Sequence, residues 1–139
     1  MAVAKWATPG TRSANLAGTA LNSIANGGAA AFITYDNSSN RNLYAIVTIK
    51  LGSITPTTGG SITLRVYSTD GTDTPDANGS SFDTYVLPLT TTASAKVATI
   101  PMVRLYPFSL RLQIVNNAGV STAASGNELY VSPYNEDIT

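Results

Sequence analysis

The densest group of oxygen donors lies in one loop, where Asp70, Asp73, Asp76 and Asn78 are interspersed with Gly71, Pro75 and Gly79. Calcium takes hard oxygen ligands of this kind, and four are at hand within a few residues. The carboxylates recur every third residue, however, where an EF-hand loop uses every second, and no closing glutamate follows. Asp, Pro and Gly are also the residues that turn geometry itself selects. The expectation is therefore a solvated loop with no bound metal, Asp70, Asp73, Asp76 and Asn78 being the candidate ligands if an ion binds.

A second possible chemistry needs two carboxylates about 5–10 Å apart, as in glycoside hydrolysis. Asp83 and Glu128 fall in or beside strand-like runs and are the pair for a sheet to bring together, although most such residues point to water. Other reactive constellations are excluded by composition. The chain has no His and no Cys, which removes the commonest general base, the commonest zinc ligands and any disulfide. Serine chemistry would then need a lysine base, and no Ser-x-x-Lys spacing occurs. No catalytic residue, no cofactor and no enzymatic activity are expected.

Eight basic residues balance eight acidic ones, and only 12% of residues are charged. Such a chain offers no basic footprint for phosphate backbones or anionic lipid, so neither nucleic acid nor membrane is expected as a partner. No run approaches the roughly eighteen apolar residues of a membrane helix, and the N-terminal stretch lacks a signal-peptide core. Synthesis in a cytoplasm is the resulting expectation. Much of the surface must be Ser, Thr, Asn and Gly, a composition suited to coverage by neighbouring subunits or a polar partner.

The elements that would position these residues are strands. At 139 residues and 43% hydrophobic content the chain suits one domain with a core of its own. Residues 1–27 show no regular period and read as an extended arm leading into a first strand, with the domain proper at 28–139. From Arg41 to Leu51, Leu43, Ala45, Val47, Ile49 and Leu51 alternate with Tyr44, Ile46, Thr48 and Lys50, which predicts a central strand. Residues 61–68 alternate likewise and are expected to pair with it as a long-looped hairpin. Pro88 in the run 82–89 favours an edge strand or a strand end, and Pro101 is expected to end a short strand over 95–100. Phe108, Leu110, Leu112 and Ile114 face one way and Ser109, Arg111 and Gln113 the other. This run, the turn at Asn116-Asn117-Ala118-Gly119 and the run from Glu128 read as a closing hairpin. Roughly seven or eight strands and no helical period predict an all-β fold, an antiparallel two-sheet sandwich or jelly roll.

Trp6, Tyr35, Tyr44, Tyr67, Tyr85, Tyr106, Tyr130 and Tyr134 supply rings for a sugar-binding platform, although tyrosine is equally a common strand residue. Trp6 stands out by position, as an aromatic in a polar arm, and docking on a neighbouring subunit is the economical reading. Trp6, Leu16, Leu21 and Tyr134 are the candidate interface residues.

Three blocks carry a family resemblance: Asp36-Asn37-Ser38-Ser39-Asn40-Arg41-Asn42-Leu43-Tyr44-Ala45; Pro107-Phe108-Ser109-Leu110-Arg111-Leu112-Gln113-Ile114-Val115-Asn116-Asn117-Ala118-Gly119; and Ala124-Ser125-Gly126-Asn127-Glu128-Leu129-Tyr130-Val131-Ser132-Pro133-Tyr134-Asn135. They resemble small virion structural proteins of tailed bacteriophages, over most of the chain from about Leu21 onward. The resemblance implies a β-sandwich decoration or cement protein that stabilises the assembled head, located in the virion. Its expected partners are the major capsid protein and copies of itself, as a trimer. A tail- or head-fibre-associated module that recognises a host-surface glycan is the alternative. The family offers no catalytic motif to carry over. On the decoration-protein reading the arm is expected to contribute intersubunit or shell contacts, and residues 1–20 to be removable without unfolding the domain.

Overall fold

Nine strands form among the residues that the computed structural model describes, 2–73, 81 and 83–138. β1 is Ala4–Trp6, β2 Ile33–Asp36, β3 Tyr44–Ile54, β4 Ser61–Ser68 and β5 Asp83–Pro88. β6 is Ser94–Arg104, β7 Ser109–Asn117, β8 Glu128–Tyr134 and β9 Glu136–Ile138; no helix accompanies them among the described residues. One sheet runs β2-β7-β4-β5 and a second β6-β3-β8, while β1 and β9 make a separate two-stranded ribbon. All pairings are antiparallel. The expected all-β sandwich is what the chain forms.

The core follows from the alternation. On β3, Ala45, Val47, Ile49 and Leu51 are buried while Tyr44, Ile46, Thr48 and Lys50 stay half-exposed. They meet Leu129 and Val131 of β8, Ile62, Leu64 and Val66 of β4, and Leu110, Leu112 and Ile114 of β7. Burying one such aliphatic side chain is worth about 1.5–3 kcal/mol, so the register is strongly fixed: a one-residue slip would drive Tyr44, Thr48 and Lys50 inward. As expected, β3 is central in its sheet; β5 is an edge strand and also ends at Pro88, so both alternatives open for that proline are met.

Two expected hairpins do not form. β3 pairs with β6 and β8, and β4 with β5 and β7, so residues 55–60 carry the chain from one sheet to the other. The step from β7 to β8 likewise changes sheets. Alternation identifies the residues that face a common core. Packing face to face about 10 Å apart satisfies that pattern as well as hydrogen bonding at about 4.8 Å does. Pro101 does not end its strand either: β6 continues to Arg104 through a register shift between Ala45↔Val103 and Val47↔Ile100. A bulge on an edge strand tolerates a residue that cannot donate. Phe108, expected to face inward, precedes β7 and is exposed. Gln113, expected outward, is buried, accepting from Tyr67 Oη and donating to the Ala30 carbonyl.

Polar side chains tie the loops. Asn116 Nδ2 donates to the carbonyls of Ile24 (2.8 Å) and Val120 (2.7 Å), and its Oδ1 accepts from Ala118 N–H. Asn127 Oδ1 accepts from Gly52 N–H. Gly52 lies beneath the loop that Asn127 closes, and a Cβ there would collide with the Ser125 carbonyl. Lys96 is buried at the turn between β5 and β6, where its ammonium donates to Thr90 Oγ1, the Thr92 carbonyl and Ser94 Oγ.

Candidate interaction face

The stretch that begins as β1 runs antiparallel along the outer edge of β8. Ala7 N–H donates to Asn135 O (2.9 Å), Gly10 to Pro133 O (2.8 Å), Ser13 to Val131 O (2.8 Å) and Leu16 to Leu129 O (2.9 Å). Three arm residues thus match every two strand residues, so the arm advances about 2.2 Å per residue against the 3.3 Å of a strand. It is a crimped edge cover and not a ladder partner. The N–H groups of β8 that such a cover cannot reach are taken by side chains: Val131 N–H donates to Ser13 Oγ and Leu129 N–H to Asn15 Oδ1, each at 3.0 Å. The arm thereby blunts a sheet edge that would otherwise invite another strand.

Laying the arm there builds a groove. Trp6, Ala7, Thr8 and Pro9 form one side and Ile46, Pro101, Met102 and Tyr134 the other, enclosing about 640 Å³. Tyr44 and Tyr134 are direct cross-strand neighbours and stack with centroids 5.6 Å apart. Trp6 meets both rings edge-on, at 6.4 Å from Tyr44 and 5.3 Å from Tyr134. Tyr134 Oη donates to the carbonyl of Pro101 at the β6 bulge, which fixes that ring across the sheet. Trp6 is still 59% exposed and Met102 48%. An aromatic pair of this kind contributes about 0.5–1.5 kcal/mol beyond area burial, enough to preorganise the tryptophan while leaving its surface available.

Next along the same face, Arg12 lies over the Tyr130 ring at 3.9 Å and Lys50 Nζ at 5.4 Å. Tyr130 Oη donates to Glu128 Oε2 (2.7 Å), and Lys50 pairs with the same carboxylate at 3.4 Å. The Tyr130 hydrogen bond, with lesser help from Lys50, holds the Glu128 carboxyl below its ordinary value; the same bond raises the Tyr130 phenol. On the other side of the arm a more polar groove of about 530 Å³ is lined by Gly10, Thr11, Ser13, Tyr35, Asn40, Asn42, Val131 and Pro133. Burial first, and the nearby Asp36 charge in addition, raise the Tyr35 phenol.

Of the four interface candidates, Trp6 and Tyr134 meet in the groove. Leu16 is half-buried and Leu21 fully enclosed in the protein's own core, so Leu21 has no surface to give a partner. The arm's second half belongs to the domain. Asp83 and Glu128 do not meet across a sheet, because β5 and β8 are in different sheets. Each instead accepts a hydrogen bond from the tyrosine two residues on, Tyr85 and Tyr130. The Tyr85 phenol is pushed up to about 12, by burial first and then by the Asp83 carboxylate.

In the acidic loop, Asp70 Oδ1 accepts from Thr72 and Asp73 N–H, both at 2.8 Å, and these bonds lower its carboxyl. Its oxygen is engaged in a turn. Asp76 and Asn78 lie outside the described residues, among which no group of three or more His, Cys, Asp or Glu side chains is placed to hold a metal. Sequence reasoning missed Pro9, Ile46, Pro101 and Met102 as groove residues, along with the Arg12 and Lys50 contacts to Tyr130. Ile46 carried a signal, since it shares the outward face of β3 with Tyr44.

Fold and face together define an all-β sandwich with an arm-built aromatic groove on its three-stranded sheet. Comparison with protein-family models finds none that matches the chain, and no curated protein matches it either.

Proposed function

We propose that this chain is a non-enzymatic structural protein of a tailed-phage virion, and that it binds the assembled head as a decoration or cement protein. The observation that carries the reading is the groove: an exposed, uncharged, aromatic and aliphatic surface preorganised on a rigid sheet. Exposed apolar patches with anchored Trp and Tyr are where protein partners bind. The resemblance of residues 36–45, 107–119 and 124–135 to small virion proteins supplies the context, with the major capsid protein as the partner. A cement protein acts by bridging subunits, so a stiff sandwich and a contact face meet its needs without any reacting group.

Trp6→Ala should lower occupancy on purified heads at least tenfold, as loss of a buried aromatic anchor does. The melting temperature should fall by only a few degrees, because Trp6 lies outside the core and loses no more than its edge contacts with two tyrosines. Unchanged occupancy would remove the groove from the mechanism.

A second reading has its own observation. The groove beyond the arm combines Tyr35 with the amides Asn40 and Asn42 and the hydroxyls Thr11 and Ser13, the neutral polar and aromatic mixture that suits a sugar. Binding on a glycan array that Tyr35→Ala abolishes, with head occupancy unaffected by Trp6→Ala, would favour a fibre-associated, host-glycan-recognising module instead.

A further inference from the structure

The β1–β9 ribbon is unlike the rest of the fold. Its six residues are all exposed, and among the described residues no other strand pairs with either member. A lone two-stranded ribbon is marginal in water, and this one leaves two edges open. The direction of its backbone groups follows from one bond. Ala7 N–H donates to Asn135 O, and Ala7 and Asn135 continue the register in which Trp6 faces Glu136, Lys5 faces Asp137 and Ala4 faces Ile138. Hydrogen-bonded and non-hydrogen-bonded pairs alternate in an antiparallel ladder. Lys5 and Asp137 therefore bond to each other. The N–H and C=O groups of Ala4 and Trp6 point off the free edge of β1, and those of Glu136 and Ile138 off the free edge of β9.

We propose that these two edges are complementary, and that β1 of one copy adds antiparallel to β9 of a second copy, head to tail. In that arrangement Ala4 faces Ile138 and Trp6 faces Glu136 of the next copy as hydrogen-bonded pairs. Lys5 then stands opposite Asp137 in the closer, non-hydrogen-bonded position, where opposite charges attract. The homotypic alternatives at full overlap are disfavoured by charge, since β1 on β1 sets Lys5 against Lys5 and β9 on β9 sets Asp137 against Asp137. A head-to-tail contact propagates until a ring closes, and closure leaves no open edge. It also places more of Ile138, 72% exposed, against a neighbour. This self-assembly is independent of the virion reading: it is tested on purified protein, whereas head binding is tested on particles.

The chain has no native cysteine, so introduced thiols report cleanly. Lys5→Cys and Asp137→Cys proteins, mixed and mildly oxidised, should form a covalent heterodimer well above the homodimer yield of either alone. Sedimentation should show a closed oligomer for the parent chain and a shift to monomer for Ala4→Pro. That substitution removes an edge-pointing N–H while sparing the ribbon's own Lys5–Asp137 bonds, so its melting profile as a monomer should be intact. A monomer at every attainable concentration would overturn the proposal. So would an oligomer indifferent to Ala4→Pro, or homodimer crosslinks that equal the mixed ones.

Discussion

Asn116 gathers one end of the sandwich. Fully buried, it satisfies the carbonyls of Ile24 and Val120 and the N–H of Ala118 with one amide. Asn116→Ala should cost about 1–3 kcal/mol, because the buried Ala118 N–H and the half-buried Val120 carbonyl lose their partner, while the Ile24 carbonyl keeps the N–H of Thr122. Asn116→Asp should be no milder despite equal size, since its carboxylate would face two carbonyls; a denaturant melt of the two variants checks both statements. The sequence marks Asn116 only as the start of an Asn-Asn-Ala-Gly turn. That much is right, and Gly119 has the left-handed φ of 82° that such a turn demands. What the local pattern does not contain is reach: the carbonyl at Ile24 is 92 residues away. Trp6 was legible for a different reason, since an aromatic in a polar stretch is anomalous wherever the chain goes. Tyr134 was a candidate too, but the meeting of Trp6 with Tyr44 and Tyr134 was not legible, because the two tyrosines become neighbours only through strand register.

At the scale of elements, the arm is the main departure from expectation. It reads as a removable extension, yet it covers the edge of β8 with three backbone hydrogen bonds, adds a fourth to Asn135 just beyond it, and sends Ala17, Leu21 and Ile24 into the core. Deleting residues 2–16 should therefore lower stability by about 2 kcal/mol or more, several backbone bonds at about 0.5–1.5 kcal/mol each being partly offset by released chain entropy. Aggregation should rise with concentration as well, since the deletion bares β8. Equilibrium unfolding together with light scattering reads both effects; an unchanged midpoint would contradict the covering role. The strands themselves were legible because period two is a local property. Neither the pairing of β3 with β6 and β8 nor the crossing to β4 was, since two runs facing one core carry the same alternation whether they are neighbours or opposites.

For the whole molecule, composition and periodicity set the class. The absence of His and Cys narrows the chemistry open to the chain, and its period-two runs between turn residues, with no helical period, point to the all-β sandwich. The groove was not legible as a unit, because its walls come from the arm, β3, the β6 bulge and the end of β8, four segments that only the folded topology assembles. The role proposed for that face requires a geometry on the particle: the three-stranded sheet and its arm turned toward the shell, the four-stranded sheet turned away.

The most direct test is electron microscopy of the intact virion at a resolution that traces strands. The sandwich should appear on the outer surface of the head, bridging capsid subunits, with Trp6, Met102 and Tyr134 buried against the shell. Density for this chain at the tail alone, or on the head with Trp6 facing solvent, would contradict the account.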